Sequence, residues 1–280
     1  MSIKKLVSLH GLKAFLGSDN GPLTGKDGVA AGGAGGPSMY YNSPNRVART
    51  IDFVGDSGDI NYLSNDTGQS SGVVAGTNGV FRLFQTPSTT TTFAPGGSEE
   101  INLPSPQWKA DQGPGADGEI RFAARVKLGS VDRTTNRIHA FAGFKDVSTI
   151  EHSAHDTGAG VISASADYVG FMFSPGGDTG WSGVAGKSTA GDSGDQVVSL
   201  DTGVEANVYD YLEVVVKRGT GDTGGTATFF INGQPKGSIN SPVASSAALY
   251  PVVSGFQQDT GSQGVDIDIF EPSGLRDTGE

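Results

Sequence analysis

The chain has 280 residues, of which 44 are glycine and 13 are proline; glycine is more than twice as frequent as its average of about 7%, which excludes a predominantly helical protein. The formal net charge is −11 at pH 7, with 19 lysines and arginines against 30 aspartates and glutamates, so a nucleic acid is not an expected partner. The chain has no cysteine, which excludes disulfide frameworks, thiolate metal sites and cysteine nucleophiles.

The first 50 residues differ in composition from the rest, and we predict an arm over residues 1–50 and one domain over residues 51–280. Residues 17–38 are rich in glycine, and such a stretch buries too little apolar surface to offset the entropy lost on ordering. It follows an apolar tip formed by Leu6, Val7, Leu9, Leu12, Phe15 and Leu16. We expect the arm to be flexible or ordered by a partner, with this tip docked on a neighbouring subunit. In the alternative, the tip covers one end of its own domain.

From residue 51 onward, short runs of strand-forming residues alternate with clusters of Gly, Asp, Ser and Pro, at intervals typical of an all-β sandwich. Strands are predicted at 51–54, 59–63, 79–85, 89–94, 119–128, 138–145, 168–174, 196–200, 211–218, 226–232, 249–257 and 265–270. In the last of these, Val265, Ile267 and Ile269 alternate with polar residues and are predicted to share one face.

A tight hairpin is predicted at Asn232 and Gly233. This pair directly follows a predicted strand, and Asn-Gly is the strongest two-residue signal for a hairpin turn. Residues 234–239 are therefore expected to return antiparallel. Because Pro235 cannot donate a backbone hydrogen bond, the returning strand is expected at a sheet edge, or with Pro235 at its first position.

The order of these elements resembles the concanavalin A-like lectin/glucanase jelly roll. The resemblance rests on the runs 140–144, 168–173, 209–217, 227–237 and 265–270. It covers residues 119–271 and implies an all-β, two-sheet antiparallel jelly-roll sandwich, here with an extended Gly-rich N-terminal arm. It does not by itself imply sugar binding, because one fold hosts many functions.

The triplet Asp-Thr-Gly is repeated along the chain. It begins at Asp66, Asp156, Asp178, Asp201, Asp222, Asp259 and Asp277. In aspartic proteases of the pepsin-like or retroviral type, one such aspartate from each lobe or subunit forms a proton-sharing dyad. Those triplets follow an apolar strand, whereas Asp156 follows a polar run that contains two histidines and the other copies lie in Gly-rich connections. We interpret all of them as turns, which Asp and Thr cap and in which Gly supplies a positive φ.

Three carboxylates near the end of the chain, Asp266, Asp268 and Glu271, resemble the Glu-x-Asp-x-x-Glu signature of retaining β-glucanases of this fold. In that signature a bulge brings three carboxylates onto one face, where two of them serve as nucleophile and acid/base. Here an aspartate stands at the nucleophile position, and nine residues follow Glu271, whereas in those hydrolases much of the sandwich is still to come. We therefore predict no catalytic residue, and a closing strand with Asp266 and Asp268 facing solvent.

The candidate glycan contacts are Asp178 and Trp181. Both lie within eight residues of the end of the predicted strand at 168–174. Sugar sites pair an aromatic platform with a carboxylate or amide that orients hydroxyl groups. In the alternative, Trp181 folds down to cap the core or an interface.

No metal site or cofactor is predicted. The acidic turns 55–59 and 191–195 each offer fewer oxygen ligands than calcium requires. His152 and His155 have no further zinc ligand at suitable spacing. No run of about 18 apolar residues is present, so a membrane is not an expected partner.

The acidic, thiol-free sandwich with its Gly-rich arm resembles a bacteriophage virion component, such as a capsid decoration protein or head fibre. We expect a non-enzymatic capsid decoration or cement protein on the particle surface, assembled in the host cytoplasm. Its expected partners are the major capsid protein or other virion subunits and copies of itself, for example in a trimer. One alternative is a lectin-like carbohydrate-binding module of a phage tail or receptor-binding protein, whose ligand would be a surface glycan. A second alternative is a retaining glycoside hydrolase.

Overall fold

The computed structural model describes residues 46–51, 53, 60–64, 71–74, 79–84, 98–106, 108–111, 118–132, 134, 136–150, 155–156, 161–162, 167–175, 180–187, 196–200, 203–218, 225–244, 246–259 and 264–275. These residues contain seventeen β-strands. The strands are β1 (Arg46–Ala48), β2 (Asn61–Ser64), β3 (Gly72–Val73), β4 (Phe81–Phe84), β5 (Ser98–Asn102), β6 (Glu119–Leu128), β7 (Asn136–Lys145), β8 (His155–Asp156), β9 (Val161–Ile162), β10 (Tyr168–Phe173), β11 (Ser182–Gly186), β12 (Gln196–Ser199), β13 (Tyr209–Arg218), β14 (Gly225–Ile231), β15 (Gln234–Asn240), β16 (Tyr250–Asp259) and β17 (Gly264–Leu275). The described part of the chain holds no helix that is long and apolar enough to cross a membrane.

The strands form two antiparallel sheets that pack face to face. Sheet I has eight strands, in the order β15-β14-β13-β6-β17-β4-β3, with β1 also paired to β17. Sheet II has seven strands, in the order β12-β11-β10-β7-β16-β5-β2, and β8 pairs with β9 separately. The prediction of an all-β, two-sheet antiparallel sandwich is therefore confirmed.

The core lies between the two sheets, and aromatic rings from both sheets meet in it. Phe122 of sheet I packs edge-on against Phe144 of sheet II, with ring centroids 5.8 Å apart. Phe229 of sheet I packs in the same way against Phe171 of sheet II at 5.3 Å. All four side chains have no exposed surface. Such edge-to-face pairs add to the stability gained from burial alone and fix the sheets relative to each other.

Sheet II also buries apolar side chains on its other face. This second cluster consists of Phe141, Tyr168, Met172, Val184 and Val252. At Gly186 an added Cβ would lie 2.1 Å from Cε1 of Tyr168, so the Tyr168 ring needs a glycine beneath it. Because both faces are buried, β11 has no polar alternation, and the sequence analysis did not predict this strand.

The hairpin predicted at Asn232 and Gly233 is confirmed. Both residues have positive φ, 52° and 77°, as a two-residue type I′ turn requires. Ile231 pairs with Gln234 across the turn. The returning strand β15 is the edge of sheet I, a position at which proline is tolerated.

Sheet I also takes in residues that the sequence analysis assigned to the arm. Arg46–Ala48 pairs with Ser273–Leu275 of β17, and the Arg49 amide donates to the Pro272 carbonyl at 3.0 Å. Residues 1–45 and the predicted strand at 89–94 lie outside the described residues.

Candidate functional site

The three carboxylates of the last strand all project from the outward face of sheet I. The register of β17 against β6 shifts between Ile267 and Ile269, which is the effect of a β-bulge at Asp268. Beyond the bulge Phe270 faces the core, with no exposed surface, while Ile269 is only half buried. The prediction that Val265, Ile267 and Ile269 share one face is therefore wrong at Ile269.

Asp266 and Asp268 are neutralised by cations of neighbouring strands. Arg82 holds Asp266 through two bonds, of 2.5 Å from Nε and 2.8 Å from Nη2, and Lys127 Nζ adds a third at 2.8 Å. Burial raises the pKa of Asp266, but these two cations more than offset it and hold the pKa below its usual value. Asp268 pairs with Arg125. Asp266 is only 3% exposed, so the predicted solvent-facing position of this side chain is wrong: it faces outward but is buried under its partners.

A tyrosine lies among these ion pairs. The Tyr209 ring has Arg125 Cζ 4.6 Å and Lys127 Nζ 5.1 Å from its centroid. Burial and the two nearby carboxylates raise the pKa of Tyr209 to about 12. The phenol therefore stays protonated at neutral pH.

Glu271 is held differently from the other two carboxylates. It has no exposed surface, and in the described part of the chain its side-chain hydrogen bonds come from two hydroxyl groups: Thr50 Oγ1 donates to Oε1 at 3.0 Å and the Tyr211 hydroxyl donates to Oε2 at 3.2 Å. Burial raises the pKa of Glu271 to about 7, against the opposing effects of Thr50, Arg121 and Tyr211. At neutral pH this carboxyl is therefore divided between its protonated and ionised forms.

Two further residues complete this part of sheet I. Arg121 Nε binds Glu213 Oε1 at 2.6 Å, and Arg121 Nη2 lies 3.4 Å from the Tyr211 hydroxyl. Glu213 and Glu271 are both register partners of Ala123 on β6, so they flank this small residue from opposite sides. We refer to Thr50, Arg121, Tyr211, Glu213 and Glu271 as the Glu271 cluster. Chemically, it can hold or release one proton close to neutral pH.

A second polar group lies on sheet II around His139. The ring stacks on Phe256, with centroids 4.1 Å apart and an interplanar angle of 7°. Its Nδ1 lies 3.1 Å from Ser174 Oγ and its Nε2 lies 3.4 Å from Gln258 Oε1. His139 is only 3% exposed. With both ring nitrogens engaged and the ring buried, this group has the features of a structural histidine.

Sheet II also contains a buried ion pair. Lys145 Nζ lies 2.5 Å from Glu100 Oε2 and donates to the Thr149 carbonyl at 2.7 Å. Asn102 donates to the other Glu100 oxygen at 2.7 Å. Burial lowers the pKa of Lys145, although Glu100 opposes the shift. The carbonyl and carboxylate together supply the partners that a buried ammonium group needs.

The predicted glycan contacts do not form a surface site in the described residues. Trp181 is 1% exposed and packs against Phe171 and Phe173 with ring centroids 6.5 and 5.8 Å away. Its Nε1 donates to Asp210 Oδ2 at 3.0 Å. Trp181 is thus a core residue, as in the alternative considered above, because its large ring and its single donor are both satisfied there. Asp178 lies outside the described residues.

The other predicted features are only partly within the described residues. The docking tip formed by Leu6, Val7, Leu9, Leu12, Phe15 and Leu16 lies outside them. Of the Asp-Thr-Gly triplets, two begin at the final residue of a strand, Asp156 of β8 and Asp259 of β16. The described residues contain no group of three or more acidic or histidine side chains that could hold a metal ion.

The sequence analysis missed most of the Glu271 cluster. Arg121 and Glu213 occupy alternate, outward positions on β6 and β13, and that alternation is visible in the sequence. Thr50 was assigned to the arm, and its contact with Glu271 spans 221 positions of the chain. Sequence alternation places such residues on a face, but it does not say which of them meet.

Comparison with known proteins supports the fold. No protein-family model and no curated protein sequence matches the chain. Among solved structures, the endo-1,3-β-glucanase from Streptomyces sioyaensis superposes with a TM-score of 0.50 and 12% identity, over 85% of this chain and all (100%) of that one. The fold is the concanavalin A-like lectin/glucanase sandwich.

Other similar structures have different activities. Peanut lectin has a TM-score of 0.48 and 11% identity, over 82% of this chain and 97% of that one. The endo-β-1,4-glucuronan lyase of the fungus Trichoderma reesei has a TM-score of 0.48 and 13% identity, over 80% and 94%. A shared fold does not decide the function of a chain.

Proposed function

We propose that this chain is a non-enzymatic virion structural protein, a bacteriophage capsid decoration or cement protein that attaches through its N-terminal arm and displays the sandwich at the particle surface. The observation that carries the proposal is the pairing of Arg46–Ala48 with the end of β17. It fixes the point at which the preceding 45 residues join the sandwich.

The root of the arm, residues 46–51, is paired to sheet I. Ile51 and Phe270 exchange backbone hydrogen bonds of 3.0 and 3.1 Å, and the Ile51 side chain is only 3% exposed. The strand to which they attach, β17, lies in the interior of the sheet between β6 and β4. A load on the arm is therefore transmitted to an interior strand rather than to a surface loop.

The charges on the outward face of sheet I also favour a structural role. Asp266 and Asp268 are each paired with cations of adjacent strands, and so is Glu213. Carboxylates that are held in this way link strands and are not free to act as nucleophiles. The net charge of −11 suits a displayed protein, because it disfavours self-aggregation and non-specific binding of nucleic acid.

The partners in this proposal are the major capsid protein or other virion subunits, and the protein itself is proposed to be a homo-oligomer such as a trimer. It would assemble in the host cytoplasm and remain on the particle surface. The Gly-rich composition of residues 17–38 favours attachment by a segment that becomes ordered only on its partner, since binding supplies the contacts that offset the ordering entropy.

The test is co-sedimentation of the full-length protein with particles assembled from the major capsid protein. A variant with polar replacements in the apolar tip, Leu12→Ser and Phe15→Ser, is expected to lose co-sedimentation. Its matched control carries Gly32→Ser and Gly33→Ser, which change the same number of residues in the linker and keep the tip. Both variants should unfold at the same temperature as the unmodified protein. Undiminished co-sedimentation of the tip variant would contradict the proposal.

One observation favours the glycoside hydrolase alternative. A carboxyl with a pKa near 7, as in Glu271, has the protonation behaviour of a general acid in such enzymes. Hydrolysis of β-glucans by the unmodified protein, abolished in Glu271→Gln, would support it. Without hydrolysis by the unmodified protein this alternative fails.

A further inference from the structure

Glu271 lies beside the segment that joins the arm to the sandwich. In the register that pairs Ala48 with Ser273 and Ile51 with Phe270, Thr50 lies directly opposite Glu271. On its other side Glu271 is the register partner of Ala123. A small side chain therefore flanks the carboxyl on one side and residues 46–51 flank it on the other.

The charged and titratable groups around this carboxyl come from three elements. Arg121 of β6 attracts its ionised form, and Glu213 of β13 repels it. Tyr211 of β13 donates a hydrogen bond, and on the flanking segment Thr50 donates another. Arg49 precedes Thr50 on the same segment and pairs with Pro272 through its backbone. Arg121 is already bound to Glu213 at 2.6 Å, so its charge is shared between two carboxylates.

We propose that Glu271 is a proton-controlled latch for the root of the N-terminal arm: with its proton bound, it keeps residues 46–51 paired to the last strand, and on losing the proton it favours their release. The proposal concerns the isolated chain and does not depend on what the arm binds.

The direction of this pH effect follows from the solvation of the Glu271 carboxylate. While residues 46–51 are paired, Glu271 has no exposed surface. Among the described residues, an ionised carboxylate there has exchanged water for two hydroxyl donors and part of one guanidinium charge. If the segment separates, water reaches the carboxylate and its charge becomes less costly. The paired state therefore binds the proton more tightly than the open state, and a rise in pH shifts the population toward the open state.

The pKa values of Glu271 in the paired and open states set the pH range over which the pairing of residues 46–51 weakens. Burial raises the pKa of Glu271 to about 7 in the paired state. In the open state the pKa approaches that of an ordinary glutamate, about 4.3. Pairing is therefore at its strongest at low pH, weakens as the pH rises through this interval and stays weak above pH 7.

The test is amide hydrogen exchange of the full-length protein at the Ile51 and Phe270 amides, which bond to each other's carbonyls. Rates are divided by the intrinsic exchange rates at each pH. Protection at these two amides is expected to fall about tenfold or more between pH 5 and pH 8, while amides of the β6–β13 pair keep theirs. In Glu271→Gln, which has no proton to lose, protection is expected to stay constant over that range.

The matched control is Asp268→Asn, which neutralises another carboxylate of the same strand away from residues 46–51. It is expected to retain the fall in protection seen in the unmodified protein. An equal fall in Glu271→Gln, or constant protection in the unmodified protein, would overturn the latch.

If Glu271→Gln does not fold, a second measurement tests the latch in the unmodified protein. The carboxyl carbon of Glu271 in labelled, unmodified protein is followed by NMR. A midpoint near pH 7 that moves in Thr50→Val supports the latch. A midpoint in the ordinary glutamate range overturns it. Neither measurement involves a capsid, so failure of the latch leaves the proposed function to its own test.

Discussion

Thr50 and Glu271 face each other across the pairing of the first and last described strands, with the threonine hydroxyl 3.0 Å from Glu271 Oε1. This contact ties the beginning of the sandwich to its last strand. Through it the carboxyl of Glu271 accepts a hydrogen bond from the segment 46–51.

The stability of the protein should depend on the protonation of Glu271. Since burial raises the pKa of Glu271 to about 7, its stabilising contribution is complete below about pH 4.3 and is lost as the pH rises to about 7. Glu271→Gln is therefore expected to be about 2 kcal/mol more stable than the unmodified protein at pH 8, with a smaller difference at pH 5. Urea unfolding at the two pH values measures this. A stability difference that does not change with pH would contradict the assignment.

The two aspartates of the last strand should contribute unequally to stability. Asp266 is 3% exposed and holds two cations, so Asp266→Asn is expected to cost about 2 kcal/mol by leaving Arg82 and Lys127 without their shared partner. Asp268→Asn, on the same strand, is the matched control, because its partner Arg125 is 43% exposed; it should cost less than about 1 kcal/mol. Equal losses in chemical denaturation would show that burial does not govern these pairs.

Gly186 should be far less replaceable than a glycine in open space. A Cβ at this position would meet the Tyr168 ring at 2.1 Å, so Gly186→Ala is expected to destabilise by about 1–3 kcal/mol through overpacking. At Gly72 an added Cβ meets no atom within 4 Å, and Gly72→Ala is the control that should unfold within a few degrees of the unmodified protein. A similar melting temperature for both variants would rule out the close contact between Tyr168 and Gly186.

Trp181 should behave as a core residue. Trp181→Ala is expected to cost about 3–5 kcal/mol by opening a cavity. Trp181→Phe keeps an aromatic ring but loses the hydrogen bond to Asp210, at a cost of about 1 kcal/mol. Thermal unfolding measures both effects.

Binding of Trp181→Phe to a glycan array tests the lectin-like alternative. If the unmodified protein binds a glycan, Trp181→Phe is expected to bind it equally well. A selective loss of that signal in the folded Trp181→Phe variant would place the indole at a sugar site instead.

The parts of the fold that were predictable are those determined by local chemistry. The Asn232-Gly233 turn needs positive φ at both positions, and few residue pairs supply it. The strand β6 (Glu119–Leu128) alternates because one face meets the core and the other meets solvent or polar partners. In both cases the signal lies within about ten residues of sequence.

The parts that were not predictable depend on contacts between distant segments. Ser182–Gly186 pairs with β10 and β12 and is buried on both faces, and Gly186 leaves room for the Tyr168 ring. The bulge at Asp268 turns Phe270 instead of Ile269 into the core, whereas the alternation of residues 265–269 had favoured Ile269. The Glu271 cluster draws on four separate segments, so composition and spacing indicated its carboxylate but not its neighbours.

The proposed structural role on a virion is tested most directly by the protein composition of purified phage particles from cells that express this chain. We predict that quantitative mass spectrometry of particles banded in a density gradient finds the chain in a fixed whole-number ratio to the major capsid protein, and that brief protease treatment removes the sandwich while leaving the shell intact. Absence of the chain from banded particles, with all of it recovered in the soluble fraction of the lysate, would contradict the account.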